Sequence, residues 1–566
     1  MTYEKQKLTG SFYTEGKVAE SVTNWAIRGS DDYVLEPSFG DGIFIDKAFC
    51  RFRVLGNMNP NITAVEIQPE VVDIVRKNYC TKRLQTYAED FLSLDLNTQF
   101  DVVIGNPPYV GIKNLPIEQI TTARKALDRY SVHCPNNGSL WLPFILHAIT
   151  ALKTNGRLAF VMPFEITYVR YAFGLWRVLA QSFSHLSICR VYEDFFPNVD
   201  VETILLFAEG KGGHTDHVTY YIYDTVDDLL NSKTSNIQTI ALHDIVSGKK
   251  PFVSTLLASS YRNLFEHIKE SDLIEPIIRS CKFKIGYVSA DKNYFHPNPA
   301  IAAHYSIPEK NLLPAILNAK ELNGDTGIGL EVIKGECSSK LYLPKCITDG
   351  DRVYIQSGET EGVQHRYKCR MRYPWYVTPN VEIPDVILSV FGEVPKMVSN
   401  SGKYVVSNSL LCGYLNGISS QQLICRWYNS LTLLSLELNV HSLGGGSFVI
   451  IPGEADKLEI VKNIPQKMIP DIFNQLDKVA KEKGVGAAYR LGDHLVLQEI
   501  FGLSDDDIMT IREAIQILSS WRNPTKRRTV FVEQDNVSGQ LLLTGFLLCG
   551  ERKIYYNSLN ISNNIS

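Results

Sequence analysis

Four residues, Asn106-Pro107-Pro108-Tyr109, stand out for the chemistry that their side chains and backbone could support. They directly follow an apolar run at 101–105, which is typical of a buried strand bounded by turn residues. The tetrapeptide would then lie at the carboxyl end of that strand, where ligands bind in open α/β sheets. An amide acceptor, a stiff backbone and an aromatic face suit a flat ring that carries an amine. An ordinary Pro-Pro turn with a surface tyrosine is the alternative, because Asn-Pro pairs are common in turns.

A second set, Glu36-Pro37-Ser38-Phe39-Gly40-Asp41-Gly42, joins a predicted strand to a predicted helix. Two glycines one residue apart allow a tight turn and the close approach of a ligand. The dinucleotide fingerprint G-x-G-x-x-G is the nearest alternative, but Ile45 stands at its third glycine and Glu36 precedes the turn. A carboxylate there would repel a pyrophosphate. S-adenosylmethionine (SAM) carries an ammonium and a sulfonium and no phosphate, so the charges favour SAM over NAD. A tight turn without a ligand remains the other interpretation.

Acidic residues also end the next two predicted strands. Glu66 could accept both hydrogen bonds of a ribose diol, and Asp90 could accept from an adenine amine while Phe91 packs on the ring. Taken singly, each acid could be a solvated strand-end residue and Phe91 could be a core residue. Because the acids follow successive strands at the same edge as the glycine turn, the set together favours a nucleoside site.

The pattern along the chain indicates the elements that must hold these residues. Apolar runs predict strands at 33–36, 62–66, 84–87, 101–105, 158–162, 188–192 and 203–208. Helical spacing predicts helices at 17–27, 70–79 and 140–152, and Thr14 is suited to cap the first. This alternation predicts a parallel or mixed sheet with helices on both faces. A mixed α+β region follows from about 240, and helical periodicity returns after about 465, as at 508–521.

Length and composition limit the class of protein. The 566 residues predict two or three domains, and 45% hydrophobic with 21% charged residues is typical of a globular chain. Eleven scattered cysteines form no C-x-x-C pair, so we expect no metal site and no disulfide framework. Apolar runs are too short for a membrane span and the N-terminus has no signal-peptide core, so we expect a cytoplasmic protein without a membrane partner. The net charge of −4 neither indicates nor excludes a polyanion partner.

The order of these motifs resembles the N6-adenine DNA methyltransferase family. It is closest to the group in which the cofactor motifs come first and a target-recognition domain follows. The resemblance starts at Gly10-Ser11-Phe12-Tyr13-Thr14, covers about residues 8–210, and continues more loosely to about 450. Where the family often has Tyr-Thr-Pro, this chain has Glu15. An acid is also favourable in a first helical turn, so we expect the helix to form.

The resemblance implies a Rossmann-like SAM-dependent methyltransferase fold. It implies a catalytic domain at 1–240, a DNA target-recognition domain at 241–465 and a C-terminal helical region with a tail at 466–566. It implies a set of cofactor-binding residues: Thr14, Glu36, Pro37, Ser38, Phe39, Gly40, Gly42, Glu66, Asp90, Phe91 and Pro108.

The tetrapeptide suits the reaction that the resemblance implies. An adenine amine is a poor nucleophile, and acceptors at its hydrogens, the Asn106 side-chain oxygen and the Pro107 carbonyl, would make it more reactive. Tyr109 can stack on the base, which must be flipped out of duplex DNA. By the resemblance, Phe196 closes the base slot, with Phe195 as the second choice; a core phenylalanine is the alternative.

The densest basic and aromatic segment, 365–376, follows in the second half. We predict that Arg366, Lys368, Arg370 and Arg372 contact DNA there, although a cationic edge strand is equally compatible with each residue. The sequence does not indicate the recognition site.

The predicted function is sequence-specific transfer of a methyl group from SAM to adenine N6 in double-stranded DNA, as the modification part of a restriction-modification system. We expect a monomer, with a cognate restriction endonuclease as its functional partner. Three alternatives stay open: an RNA-base or protein-glutamine methyltransferase, a bifunctional restriction-methylation enzyme, and a non-enzymatic DNA-binding protein.

Overall fold

The structure is a computed structural model. It describes residues 14–522 except the segments 80–82, 96–98, 192–202, 235, 248–252, 255–256, 323–326, 330–338, 393, 441 and 444–446. The described residues up to 254 form one compact unit, and those from Leu257 onward form a second.

The first unit is built on a nine-stranded sheet with the order β3-β2-β1-β4-β5-β7-β6-β8-β9. Its strands are β1 (Val34–Glu36), β2 (Ile62–Glu66), β3 (Leu84–Ala88), β4 (Phe100–Gly105), β5 (Leu152–Pro163), β6 (Phe183–Val191), β7 (Thr203–Lys211), β8 (His217–Tyr223) and β9 (Asn236–Ala241). Strands β1 to β5 pair in parallel, and β7 runs antiparallel between β5 and β6. The chain reverses its strand order between β1 and β4, which is where ligands bind in such sheets.

Helices connect the strands of this sheet. They are α1 (Gly16–Ala26), α2 (Ile43–Val54), α3 (Pro69–Asn78), α4 (Ile117–Arg129), α5 (Trp141–Thr150), α6 (Ala172–Ser182), α7 (Val226–Leu230) and α8 (Leu242–Ser247). Val34 and Val102 join one core cluster with residues of α1 and α2. Leu35 and Val103 point to the opposite face and are also fully buried. Both faces of the sheet are therefore covered, which explains why its strands are continuously apolar.

The fold class predicted for this half is confirmed. All seven predicted strands and the three predicted helices are present, with ends that differ by a few residues. The longest difference is at β5, which begins at Leu152 because Leu152 pairs with Phe100 ahead of an irregularity in the ladder. Strands β8 and β9 were not predicted. Helix α1 forms with Glu15 at its N-cap, but Thr14 does not cap it as expected, since no side-chain cap bond is made.

The second unit contains several small sheets. Its strands are β10 (Ile274–Pro276), β11 (Cys281–Ile285), β12 (Leu312–Ile316), β13 (Lys340–Tyr342), β14 (Val386–Ser389), β15 (Phe391–Gly392), β16 (Met397–Ser399), β17 (Val405–Val406), β18 (Leu410–Leu415), β19 (Ser442–Leu443), β20 (Ser447–Val449) and β21 (Glu459–Val461). The largest sheet is antiparallel, with the order β11-β18-β14-β16.

Helices surround these sheets. They are α9 (Ser259–Glu270), α10 (Lys292–Phe295), α11 (Pro299–His304), α12 (Asp349–Thr360), α13 (Tyr367–Arg370), α14 (Ser420–Trp427), α15 (Ser430–Asn439), α16 (Pro452–Ala455), α17 (Ile469–Lys483), α18 (Val485–Gly492) and α19 (Asp505–Arg522), and a π-helix, Asp493–Gln498, follows α18. Helix α17 packs on α14 and α19 packs on α15, so the last described helices are part of the second unit. The predicted boundaries at 240 and 465 stay predictions of domain organisation. Within the described ranges, no helix has the length and apolar character needed to cross a bilayer.

Candidate active site

A cavity of about 300 Å³ opens where β1, β2 and β4 end, at the lower limit of typical ligand pockets. Ten of the predicted cofactor-binding and catalytic residues line it: Thr14, Pro37, Ser38, Phe39, Gly40, Glu66, Asp90, Phe91, Asn106 and Pro108. The glycine turn, predicted to bind a nucleoside, and the tetrapeptide, predicted to act in catalysis, therefore border the same cavity.

The glycine turn that follows β1 is fixed from two sides. Gly40 and Gly42 have φ angles of 52° and 87°, which favour glycine. The Gly40 N–H donates to Glu66 Oε2 at 3.1 Å, and the Gln68 N–H donates to Glu66 Oε1 at 3.1 Å. Glu66 was expected to bind a ligand diol. In this structure its carboxylate also ties the turn to the end of β2.

Glu36, the last residue of β1, is an unusual buried acid. Its side chain is 1% exposed, and neither carboxylate oxygen has a hydrogen-bond partner among the described residues. Burial raises the pKa of Glu36 well above its ordinary value, and the charges of Asp41, Glu66 and Asp46 raise it further. A positively charged group placed beside Glu36 would relieve this repulsion.

Asp90 and Phe91 are held by neighbouring elements. Asp90 accepts from the Leu92 N–H at 3.0 Å and from Thr122 Oγ1 of α4 at 3.3 Å. The Phe91 ring lies 4.8 Å from the ring of Phe144, between centroids, and Phe144 itself lines the cavity. The position of both residues at the cavity wall agrees with the predicted adenine contacts, which stay predictions.

Asn106 is bound by two segments that are distant in sequence. Its Nδ2 group donates to Thr14 Oγ1 at 3.3 Å, and its backbone carbonyl accepts from Ser38 Oγ at 3.0 Å. Gly105, which ends β4, has a φ angle of 151° and lies against Pro37 and Glu36. The start of α1, the glycine turn and the tetrapeptide are thus joined at Asn106.

Tyr109 turns back toward the sheet. Its hydroxyl donates to the Val161 carbonyl of β5 at 3.0 Å. Burial raises the pKa of Tyr109 well above its ordinary value, and the nearby charge of Glu165 adds to the shift. The predicted partner aromatics, Phe195 and Phe196, lie outside the described residues.

Two family models match this chain. The model described as Eco57I restriction-modification methylase matches residues 47–195, and the model described as Type II methyltransferase M.Eco57I, C-terminal domain, matches residues 249–497. The chain belongs to the Eco57I family of restriction-modification methylases.

Curated relatives of this methylase agree with that assignment. Type II methyltransferase M.AccI of Acinetobacter calcoaceticus is 24% identical over 408 residues, which cover 69% of this chain and 73% of M.AccI. Type II methyltransferase M.HincII of Haemophilus influenzae is 25% identical over 241 residues, which cover 42% of this chain and 44% of M.HincII. The match to M.HincII therefore spans less than half of that protein.

A solved structure shares the fold of this methylase. The Type IIL restriction-modification enzyme MmeI, solved in complex with DNA, aligns with a TM-score of 0.54 at 12% identity. The alignment covers 92% of this chain and 76% of the MmeI chain.

Several residues near the methylase site were not found from sequence. Asn114 and Gln119 line the cavity from the segment between β4 and α5. Glu165 accepts a 2.6 Å hydrogen bond from the indole N–H of the buried Trp141. No motif or spacing marks these residues, because the contacts arise only when distant segments pack.

The predicted DNA-contacting residues of this methylase fall into two groups. Arg366 forms a 2.7 Å ion pair with Asp291, and Arg372 donates to the backbone carbonyls of Val288 and Ser289. Lys368 and Arg370 lie on α13 and are exposed. Within the basic segment 365–376, residues Tyr367–Arg370 form a short helix, so the alternative of an edge strand is wrong.

No cluster of three or more His, Cys, Asp or Glu side chains suited to a metal occurs among the residues that the structure describes.

Proposed function

We propose that this methylase transfers a methyl group from SAM to the N6 amine of an adenine flipped out of duplex DNA. One observation carries the proposal: the turn with the buried acid and the Asn106 tetrapeptide are hydrogen-bonded to each other at one cavity. The family assignment supports methyl transfer to DNA, and the adenine amine is the finer part of the proposal.

The residues around the cavity fit SAM as the methyl donor. Glu36 does not itself line the cavity but precedes Pro37, which does; its buried carboxylate has no hydrogen-bond partner among the described residues, and the acids near it favour a cation. Glu66 lines the cavity and would accept from a ribose diol, and Phe91 with Phe144 offers an apolar wall for a ring. When bound, SAM would supply an electrophilic methyl group on a sulfonium.

The tetrapeptide would prepare the amine. The Asn106 Oδ1 atom and the Pro107 carbonyl can accept the two amine hydrogens and so draw the nitrogen toward a more nucleophilic form. The hydrogen bonds of Asn106 with Thr14 and Ser38 orient this group before the base arrives, which lowers the ordering cost of each turnover. Tyr109 would stack on the base, and its bond to Val161 fixes the ring.

The decisive experiment supplies the full chain with methyl-labelled SAM and three acceptors: unmethylated genomic DNA, ribosomal RNA and protein. We expect label in DNA, recovered as N6-methyladenine after digestion to nucleosides. Label found only in RNA or in protein glutamine would contradict the proposal.

Asn106→Ala tests the assigned role of the tetrapeptide. We expect the transfer rate to fall about 100- to 1,000-fold, as when one preorganised polar group is removed from an active site. SAM affinity, measured by calorimetry, should change little. Asn231→Ala is the matched control, because Asn231 is an exposed asparagine of the same unit whose amide contacts only the local turn. Full transfer activity in Asn106→Ala would refute the role.

We further propose that the chain acts as a monomer and that a cognate restriction endonuclease cuts the sites it protects. Mapping methylated adenines in DNA from cells that express the chain would give the protected sequence. Sedimentation of the purified chain would give its oligomeric state, and a stable dimer would contradict the monomer.

A further inference from the structure

An exposed apolar surface surrounds helix α13 in the second unit. Six side chains form what we call the exposed apolar patch: Ile285, Val288, Tyr367, Met371, Tyr373 and Ile383. Met371 is 72% exposed and Tyr373 is fully exposed. Single exposed apolar residues are common, but a group of this kind marks an interaction surface.

Contacts of the neighbouring residues hold the segments that carry the patch together. Arg372, between Met371 and Tyr373, donates to the carbonyls of Val288 and Ser289. Lys284, next to Ile285, forms an ion pair with Glu382, which precedes Ile383. The segments that carry the patch are therefore held side by side.

The backbone under Met371 and Tyr373 is anchored on both sides. The guanidinium of Arg372 also lies over the Phe295 ring, 5.6 Å from its centroid. The Trp375 indole N–H donates to Glu359 Oε1 at 3.2 Å. Met371 and Tyr373 are thus presented to solvent from a fixed segment, so little ordering of the backbone is needed when a partner binds.

The charges around the patch favour a polyanion. Arg366 is neutralised by Asp291 and Lys284 by Glu382. Lys368 and Arg370 are exposed and make no ion pair with any described residue. Two positive charges thus remain beside exposed aromatic and thioether side chains, a combination typical of surfaces that contact nucleic acid.

We propose that the exposed apolar patch contacts duplex DNA, with Tyr373 and Met371 inserted against the base stack and Lys368 and Arg370 on the flanking phosphates. This inference rests on the proposed function, because it names the surface by which the second unit would hold the DNA substrate. It also assigns different roles within the basic segment: Arg366 and Arg372 position the surface, whereas Lys368 and Arg370 contact DNA.

The test measures binding of the full chain to a short fluorescent duplex over a range of salt concentrations. In a Lys368→Ala, Arg370→Ala double variant, we expect weaker binding and a salt dependence whose logarithmic slope falls by about two. Lys478→Ala, Lys483→Ala is the matched control, because both lysines are exposed on α17 of the same unit. The control should bind like the wild type.

Tyr373→Ala separates stacking from charge. We expect about tenfold weaker binding with an unchanged salt slope, because no charge is removed. Tyr373→Phe should bind like the wild type. In Tyr373→Trp, duplex should quench the additional indole emission relative to the wild type, since a base stacked on the ring quenches it. Met371→Ala should also bind DNA more weakly with an unchanged salt slope, and Met509→Ala is its matched control, because Met509 is an exposed methionine on α19.

Several results would overturn this inference. One is that the Tyr373→Ala variant and the Lys368→Ala, Arg370→Ala variant bind and methylate DNA as well as the wild type. Another is that these variants change the self-association of the chain and leave its DNA binding unchanged. A failure of the proposed function would look different. In that case the wild type would transfer no label to DNA adenine, although the patch variants would still bind duplex DNA more weakly than the wild type. All variants change exposed side chains, and unfolding curves that match the wild type would verify their folding.

Discussion

Replacing Glu36 by glutamine should make the ligand-free protein more stable and the ligand-bound protein less so. Glu36 is a buried acid whose pKa is raised by burial and by the charges of Asp41, Glu66 and Asp46. Glutamine keeps the shape of the side chain and removes the titrating group. The substitution therefore removes the pH-dependent part of the free energy that Glu36 contributes.

The sign follows from proton linkage. In the unfolded chain Glu36 ionises near its ordinary pKa of 4.5, whereas in the folded protein it keeps its proton to a higher pH. The folded state then binds more protons, so stability falls as pH rises above about 4.5 until the folded pKa is passed. The loss is up to about 1.4 kcal/mol per pH unit. Over that pH range, Glu36→Gln should therefore gain stability over the wild type as the pH rises.

With SAM bound, the wild type should be more stable than Glu36→Gln. If the Glu36 carboxylate pairs with a cationic group of SAM, the wild type must release the Glu36 proton when SAM binds at a pH below the raised pKa of Glu36. Calorimetry in two buffers of different ionisation enthalpy would detect that proton, and it should be absent in Glu36→Gln. Loss of a hydrogen bond to a charged group, about 1.5–3 kcal/mol, should weaken SAM binding about 10- to 150-fold.

Chemical denaturation between pH 5 and 8, with and without SAM, measures both effects. Glu70→Gln is the control, because Glu70 is exposed in the first turn of α3 and its variant should follow the wild-type pH profile. Parallel pH profiles for wild type and Glu36→Gln would refute the assigned electrostatics. Unchanged SAM affinity would refute the contact with the cofactor.

Two further substitutions test other contacts. Tyr109→Phe removes the bond to the Val161 carbonyl, worth about 1 kcal/mol, so methyl transfer should fall about three- to tenfold at constant SAM affinity. Equal steady-state rates would exclude a role for the hydroxyl. Asp493→Ala leaves Arg512 without its buried partner and should lower the free energy of unfolding by about 3–5 kcal/mol. Asp349→Ala breaks an exposed pair and should cost less than about 0.5 kcal/mol, and similar losses for both would contradict the burial argument.

The parallel half of the sheet could be predicted because its strands are short apolar runs with turn residues at both ends. Strand β2 has the predicted limits, and β1, β3 and β4 differ by one residue. Strand β5 starts six residues early because Leu152 pairs with Phe100 ahead of an irregularity in the ladder, and the polar residues 153–155 that follow carry no apolar pattern. Strands β8 and β9 were missed altogether.

The candidate site was predictable where it lies within single motifs. The glycine turn and the tetrapeptide are local signals, and both line the cavity. The bond between Asn106 and Thr14, the bond between Glu66 and Gly40, and the wall provided by Gln119 could not be predicted. Each depends on the packing of distant segments, which periodicity and spacing do not report.

The Asn106-Pro107 pair also bears on how this protein ages. An asparagine commonly loses its side-chain amide when the backbone nitrogen of the next residue attacks it and closes an imide ring. The Pro107 nitrogen carries no hydrogen, so this route is closed at the amide proposed to act on the base. The Asn106 Nδ2 group is also held by Thr14. We expect deamidation to spare this position and to begin at Asn-Gly pairs such as Asn155-Gly156.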